Sequence, residues 1–329
     1  MKTAFYNVHK YERASLIKAS DNQHELLFLE EGLNENTIKL AAGCKAICIF
    51  VADKTTASIL RELLAIGIQY IALRSAGYNH IDLNEAKKLG FKVARVPEYS
   101  PFAVAEHAVT LMLSLNRQIT HAHNRIAEMN FSLDGLVGFD MHGKTIGIIG
   151  TGKIGFQVAT ILHGFGCKIL AFDTVENEAI KNNCAASYVD LKTLCSQSDI
   201  ISLHLPLTSE TKYLITKNSI AWMKKGVMLI NTSRGGLVDT VAVVDGIKSG
   251  QIGYFGMDVY EEEDGLFFED RSEEILQDDV IARLMTFKNV LITSHQAFLT
   301  DTALKNIAET TIHNLDCFEK GITSSNELN

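Results

Sequence analysis

The chain has 329 residues, too many for one comfortable hydrophobic core, so two domains are expected. Hydrophobic residues make up 47% and charged residues 21%, as in ordinary globular proteins, and no apolar run approaches the ~20 residues that would cross a bilayer. The net charge of −8, from 31 Lys and Arg against 39 Asp and Glu with no basic block, argues against a nucleic-acid partner.

The opening residues hold only a few apolar positions before charge returns, which reads as a first strand rather than a leader peptide. Strands are predicted at 3–6, 25–29, 46–51, 68–73 and 91–96, with helical segments such as 56–66 between them. The run Ala46–Val51 is continuously apolar, as in a strand buried on both faces. Alternating strands and helices predict a small, open, parallel-sheet unit. Strand 68–73 leads into Ser75-Ala76-Gly77, whose backbone N–H groups could receive a carboxylate at the strand's carboxyl end; a plain strand-to-helix turn is the alternative. Pro97 and Pro101, two of only three prolines, predict a stiff crossover. Residues 102–117 read as a strongly apolar helix suited to a domain interior or a subunit interface. Residues 121–144 read as a polar, irregular surface segment in which His121, His123 and His142 are solvated.

Next comes Thr145-Ile146-Gly147-Ile148-Ile149, a short apolar strand followed by Gly150, Gly152 and Gly155 in the spacing G-x-G-x-x-G and by a predicted helix over 153–163. Strand, glycine turn and helix in that order form a dinucleotide-binding fingerprint. Gly150 allows the tight turn, Gly152 lets a pyrophosphate approach the backbone, and Gly155 lets helix and strand pack closely. The N–H groups at the helix start attract phosphate. The next predicted strand, 168–172, ends at Asp173, 18 residues after Gly155, where a carboxylate would accept hydrogen bonds from ribose hydroxyls and repel a 2′-phosphate. The cofactor expected is therefore NAD.

Later strands are predicted at 199–206, 227–231, 253–259 and 289–294, and the tail from 298 reads as a helix stopped by Gly321. Arg234, an acid within Glu261-Glu262-Glu263-Asp264, and His295 lie at or just beyond these strands. Such a set suits hydride chemistry on a 2-keto acid. A guanidinium clamps a carboxylate with two parallel hydrogen bonds, a histidine delivers a proton near neutral pH, and a neighbouring carboxylate fixes its tautomer. The four-residue acidic run leaves the choice of acid open. The six cysteines (Cys44, Cys48, Cys167, Cys184, Cys195 and Cys317) show neither C-x-x-C nor zinc spacing, so free thiols in a reducing cytoplasm and no metal site are expected.

The segments LRSAGYNHID (73–82), GKTIGIIGTGKIG (143–155), NTSRGGLVD (231–239), GMDVYEEE (256–263) and SHQAFLT (294–300) together resemble the D-isomer-specific 2-hydroxyacid dehydrogenase family along nearly the whole chain. Within it, LFFED (266–270) and SHQAFLT resemble the bacterial fermentative group that reduces pyruvate to D-lactate. The resemblance implies two open parallel-sheet α/β domains, a Rossmann-type NAD domain over 100–297 inserted into a flavodoxin-like substrate domain of 1–99 plus 298–329. It implies Arg234, Glu263 and His295 as the catalytic set, and Ser75, Ala76 and Gly77 around the substrate carboxylate. Tyr99 and Phe298 would line the substrate pocket. NAD contacts are implied at Gly150, Thr151, Gly152, Lys153, Ile154, Gly155, Asp173, Leu205, Pro206, Thr211, Thr232, Ser233 and Asp258. It further implies an active site in the cleft between the domains and a homodimer or homotetramer, with helix 102–117 in the dimer interface. A dehydrogenase for a bulkier 2-keto acid, or an NAD-sensing binding protein of the same fold, are the alternatives.

Overall fold

Short runs of branched and apolar residues become parallel strands, and these fall into two separate sheets. The computed structural model describes residues 1–329 and divides them into two units: Met1–Ser100 with Phe298–Asn329, and Pro101–Ala297.

The first unit holds β1 (Lys2–Phe5), β2 (Glu25–Phe28), β3 (Ala46–Ile49), β4 (Tyr70–Leu73) and β5 (Lys92–Ala94). Their order is β2-β1-β3-β4-β5, all parallel, which is the flavodoxin-like order. One face buries Ile47, Ile49, Ile71 and Leu73 against Leu60 and Leu63. The other buries Phe5, Cys48 and Ala72 against Ala308, Ile312, Leu315 and Phe318 of the helix Asp301–Lys320. Thr300 caps the start of that helix, and Gly321 ends it at φ +65°, a conformation glycine adopts without strain. Behind the sheet's carboxyl edge, fully buried Arg74 donates from Nε to Glu12 Oε2 (2.8 Å) and from Nη2 to the carbonyls of Tyr6 and Asn7. Nη1 reaches the Cys48 carbonyl, so one guanidinium ties together the ends of β1, β3 and β4.

The second unit holds β6 (Thr145–Ile149), β7 (Lys168–Phe172), β8 (Ser187–Tyr188), β9 (Ile200–Leu203), β10 (Val227–Asn231), β11 (Ile252–Met257) and β12 (Val290–Ile292). The order is β12-β11-β10-β9-β6-β7-β8, again all parallel. This is the doubly wound dinucleotide-binding order with one strand added, and its direction reverses between β6 and β9. Ligands of such sheets bind beyond the carboxyl ends of the strands at that reversal, which is where the Gly150 turn emerges.

Residues 121–144 are not uniformly irregular: Ile119–Ala127 form a helix. None of its residues is buried, and the stripe Ile119, Ala122 and Ile126, though at helical spacing, is too short to stand out in a polar segment. The two-residue strand β8 is likewise too short to leave a pattern. No helix is long and apolar enough to cross a membrane.

Candidate active site

At the end of β6 each fingerprint glycine has a distinct geometric reason. Gly150 sits at φ +94°, and a Cβ there would come 2.4 Å from the His204 carbonyl oxygen. A Cβ on Gly155 would come 1.9 Å from the Gly150 oxygen, so only glycine lets the helix Lys153–Gly164 approach the strand this closely. A Cβ on Gly152 would meet nothing within 4 Å; the space in front of this backbone is open, as an approaching pyrophosphate requires. Gly152 caps the helix that Lys153 and Ile154 begin, leaving the first N–H groups and the positive end of the dipole at that space. Two buried polar atoms nearby have no protein partner: Nδ1 of His204, just after β9, and Oγ1 of Thr232, just after β10. Native structures rarely leave such atoms orphaned, and a polar molecule bound at this edge would satisfy them. Burial pushes the His204 imidazole down to about 3, so it is neutral at physiological pH. The glycine cradle, the open helix start and the orphaned atoms all fit a dinucleotide.

Asp173 closes the far side of the cradle. Its Oδ2 accepts from the N–H (2.6 Å) and hydroxyl (3.1 Å) of Thr151, and its Oδ1 accepts from the Thr174 N–H (2.7 Å). Partial burial works to raise its pKa, but the hydrogen bonds outweigh this and hold the carboxyl below the usual range. Thr151 is in turn held by the Tyr188 hydroxyl (2.7 Å). On the opposite side, Leu205 and Pro206 follow β9, and Thr211 donates to the Pro206 carbonyl, closing that loop. Ser233 donates to the carbonyl of Leu203.

Arg234, Glu263 and His295 follow β10, β11 and β12, three neighbouring strands, so all three belong to one edge of one sheet. The Arg234 loop and the acidic loop touch through backbone: a Cβ on Gly235 would come 2.0 Å from the Tyr260 carbonyl carbon. Geometry separates the glutamates. Glu263 Oε1 lies 3.0 Å from His295 Nδ1, and its Oε2 accepts from the Tyr260 N–H. Glu261 instead accepts from the Thr240 N–H, and Glu262 is exposed. Because a carboxylate only accepts, Nδ1 of His295 carries the hydrogen, and Nε2 is the ring nitrogen that Glu263 does not engage. His295 adopts φ +50°, which costs a non-glycine residue on the order of 1 kcal/mol. Asp258 holds it there: its carbonyl accepts from His295 N–H (2.7 Å), and its carboxylate accepts from the N–H groups of Gln296 and Ala297 (2.8 Å each). The Asp258 carboxylate is wholly buried and spent on these protein donors.

The remaining candidates lie in the first unit. The Ser75 carbonyl accepts from Val96 N–H, the Ala76 carbonyl from Arg95 Nη1, and the Gly77 carbonyl from the Ser75 hydroxyl. The N–H groups of Ser75, Ala76 and Gly77 donate to no protein acceptor. A turn with occupied carbonyls and available N–H groups can receive an anion. Tyr99 and Phe298 meet edge to face at 6.2 Å between ring centres, and Phe50 also lies 6.2 Å from Phe298.

Comparison with known proteins bears on what this edge does. The family described as D-isomer specific 2-hydroxyacid dehydrogenase, NAD binding domain, matches residues 109–297. The D-lactate dehydrogenase of Escherichia coli (strain K12) is 51% identical over 329 residues, covering all of both chains. The chain belongs to the D-isomer-specific 2-hydroxyacid dehydrogenases. The apo structure of the E. coli D-lactate dehydrogenase superposes with a TM-score of 0.92 at 48% identity, again covering all of both chains. The D-lactate dehydrogenase of Aquifex aeolicus, solved with NAD and lactic acid, superposes with a TM-score of 0.85 at 34% identity over 97% of this chain and 96% of that one.

As a member of this family, the protein is an NAD-dependent 2-hydroxyacid dehydrogenase. Several residues at the edge of this dehydrogenase escape a reading of its sequence. Tyr188 lies on the two-residue strand, and Thr293 on an unremarkable strand end. His107 did leave a signal: it is an ionisable side chain inside an apolar helix, Pro101–Asn116. No group of three His, Cys, Asp or Glu side chains is placed to hold a metal, and all six cysteines are buried thiols.

Proposed function

We propose that this dehydrogenase reduces pyruvate to D-lactate: pyruvate + NADH + H⁺ → D-lactate + NAD⁺. The observation that carries the chemistry is the 3.0 Å pair of His295 Nδ1 and Glu263 Oε1 beside the Arg234 loop. The glycine turn Gly150–Gly155, with Asp173 toward the ribose and Leu205, Pro206, Thr211, Thr232 and Ser233 around it, would hold NADH, which supplies the hydride when bound. Arg234 binds the substrate carboxylate through its planar fork and polarises the adjacent carbonyl. In the first unit, the N–H groups of Ser75, Ala76 and Gly77 suit a carboxylate as well. His295, protonated at Nε2, gives that proton to the carbonyl oxygen as negative charge develops there, and Glu263 stabilises the imidazolium until it is lost. In the reverse direction the neutral imidazole takes the hydroxyl proton back.

Pyruvate, rather than a longer keto acid, is favoured by the bulk of Tyr99 and Phe298 and by the 51% identity to an enzyme named for D-lactate. NAD is favoured over NADP by the Asp173 carboxylate, held ionised where a 2′-phosphate would fall. The outward-facing Met129, Phe131, Leu133 and Val137 after the helix Ile119–Ala127 form an apolar surface that suits a homodimer or homotetramer. The buried thiols suit the cytoplasm.

The deciding experiment follows NADH oxidation with pyruvate, 2-ketoisocaproate and phenylpyruvate, repeats it with NADPH, and determines the chirality of the product. The expected result is a kcat/KM highest for pyruvate and NADH with D-lactate as the only enantiomer. A preference for the bulky acids would keep the chemistry and move the substrate; no turnover despite tight NADH binding would overturn the reading.

A further inference from the structure

We infer that His107 is a positioning residue for catalysis, holding His295 in its productive orientation through a relay of two hydrogen bonds. The inference rests on His295 being the proton donor. Thr293 Oγ1 lies 2.6 Å from Asp258 Oδ1 and 3.0 Å from His107 Nε2. The carboxylate can only accept, so the threonine hydrogen points to Asp258. The threonine oxygen must then accept from His107, which fixes the hydrogen on Nε2. Donation runs His107 → Thr293 → Asp258. His107 Nε2 also approaches Asp258 Oδ1 at 3.5 Å, so the ring backs the carboxylate directly.

Asp258 is the other half of the device. It is wholly buried, and a carboxylate there is sustained only by its donors. Burial works to raise its pKa, and the bonds from His107, Thr293 and Ala297 outweigh that and leave it lowered. The same two oxygens grip the N–H groups of Gln296 and Ala297, immediately after His295. That grip sustains the φ of +50° at His295, a conformation the residue would leave if it were released. His107 comes from the helix Pro101–Asn116, remote in sequence from the strand ends it steadies. It is thus the anchor that keeps the Asp258 carboxylate and its loop in one arrangement, and through them the catalytic imidazole.

The test compares His107→Leu, His107→Gln and Thr293→Val in the full-length protein, measuring kcat, pyruvate KM, and NADH affinity by fluorescence titration. His107→Leu should lower kcat by about ten- to a hundredfold, the loss expected from misplacing a reacting group by less than an ångström or so. KM and NADH affinity should stay within about twofold, because neither depends on where the proton sits. His107→Gln carries an N–H near the position of Nε2 and should recover kcat to within about threefold of the parent. Thr293→Val breaks the same relay, so combining it with His107→Leu should cost no more than the worse single change, the non-additivity of groups acting in series. Parental kcat in His107→Leu would overturn the inference. So would a glutamine variant as slow as the leucine one, or a loss shared equally by NADH binding, since each describes packing alone. His295→Gln, assayed alongside, separates the premises. If it retains turnover, the proton-donor reading fails; if it is inactive while His107→Leu is normal, only the role of His107 fails.

Discussion

At the carboxyl edge of the five-stranded sheet the candidate groups are backbone N–H groups; at the same edge of the seven-stranded sheet they are side chains. The turn Ser75–Gly77 has its carbonyls tied back by Val96, Arg95 and its own serine, and it is backed by the buried Arg74–Glu12 pair. Its donors are fixed by the path of the chain. Arg234, Glu263 and His295 must be oriented one at a time, by Gly235 packing on Tyr260, by the Tyr260 N–H on Glu263, and by Asp258 on the His295 loop. Binding a carboxylate needs only fixed dipoles, so backbone suffices; moving a proton needs an atom that changes its protonation, so a side chain is unavoidable. The two edges should therefore respond very differently to side-chain substitution.

The largest loss is expected at the proposed proton donor. His295→Gln keeps a polar group in place but cannot deliver a proton, and kcat should fall by about a thousandfold or more while NADH titrates as in the parent. A smaller fall, with NADH affinity also reduced, would mean that His295 serves binding rather than chemistry. Arg234→Lys comes next. Lysine keeps the charge and loses the fork, so pyruvate KM should rise by about ten- to a hundredfold. An unchanged KM would remove Arg234 from the carboxylate and leave that task to the turn of the first unit.

How legible each edge is in the sequence follows from the same difference. Gly150, Gly152 and Gly155 can be read directly because close approach forbids any other residue, and the spacing records the geometry. The strands are legible because both faces of a parallel sheet are buried, which leaves continuous apolar runs. The acid is not legible from the residues alone. Glu261, Glu262 and Glu263 have identical chemistry, and only backbone donors at Thr240 and Tyr260 direct one to a scaffold and another to His295. The Asp258 clamp is hidden for a similar reason, since its partners at 107, 293, 296 and 297 meet only in the fold. The helix Ile119–Ala127 escaped although Ile119, Ala122 and Ile126 recur at helical spacing, because that stripe is short, interrupted by polar residues and packed into no core.

The smallest effect is the sharpest test of the contrast. Ser75→Ala deletes a hydroxyl at the edge built from backbone, where the side chain does no more than tie down the Gly77 carbonyl at 2.7 Å. The N–H of residue 75 survives the change, the Ala76 carbonyl is still held by Arg95, and Arg74 behind the turn is untouched. Losing one such hydrogen bond is worth about 1 kcal/mol, and only part of it reaches the bound carboxylate. Pyruvate KM should rise by less than about threefold, with kcat unchanged, a far smaller effect than that of Arg234→Lys in the same assay. A rise as large as the arginine variant's would place the serine hydroxyl itself on the substrate, and the first edge would then, like the second, work through its side chains.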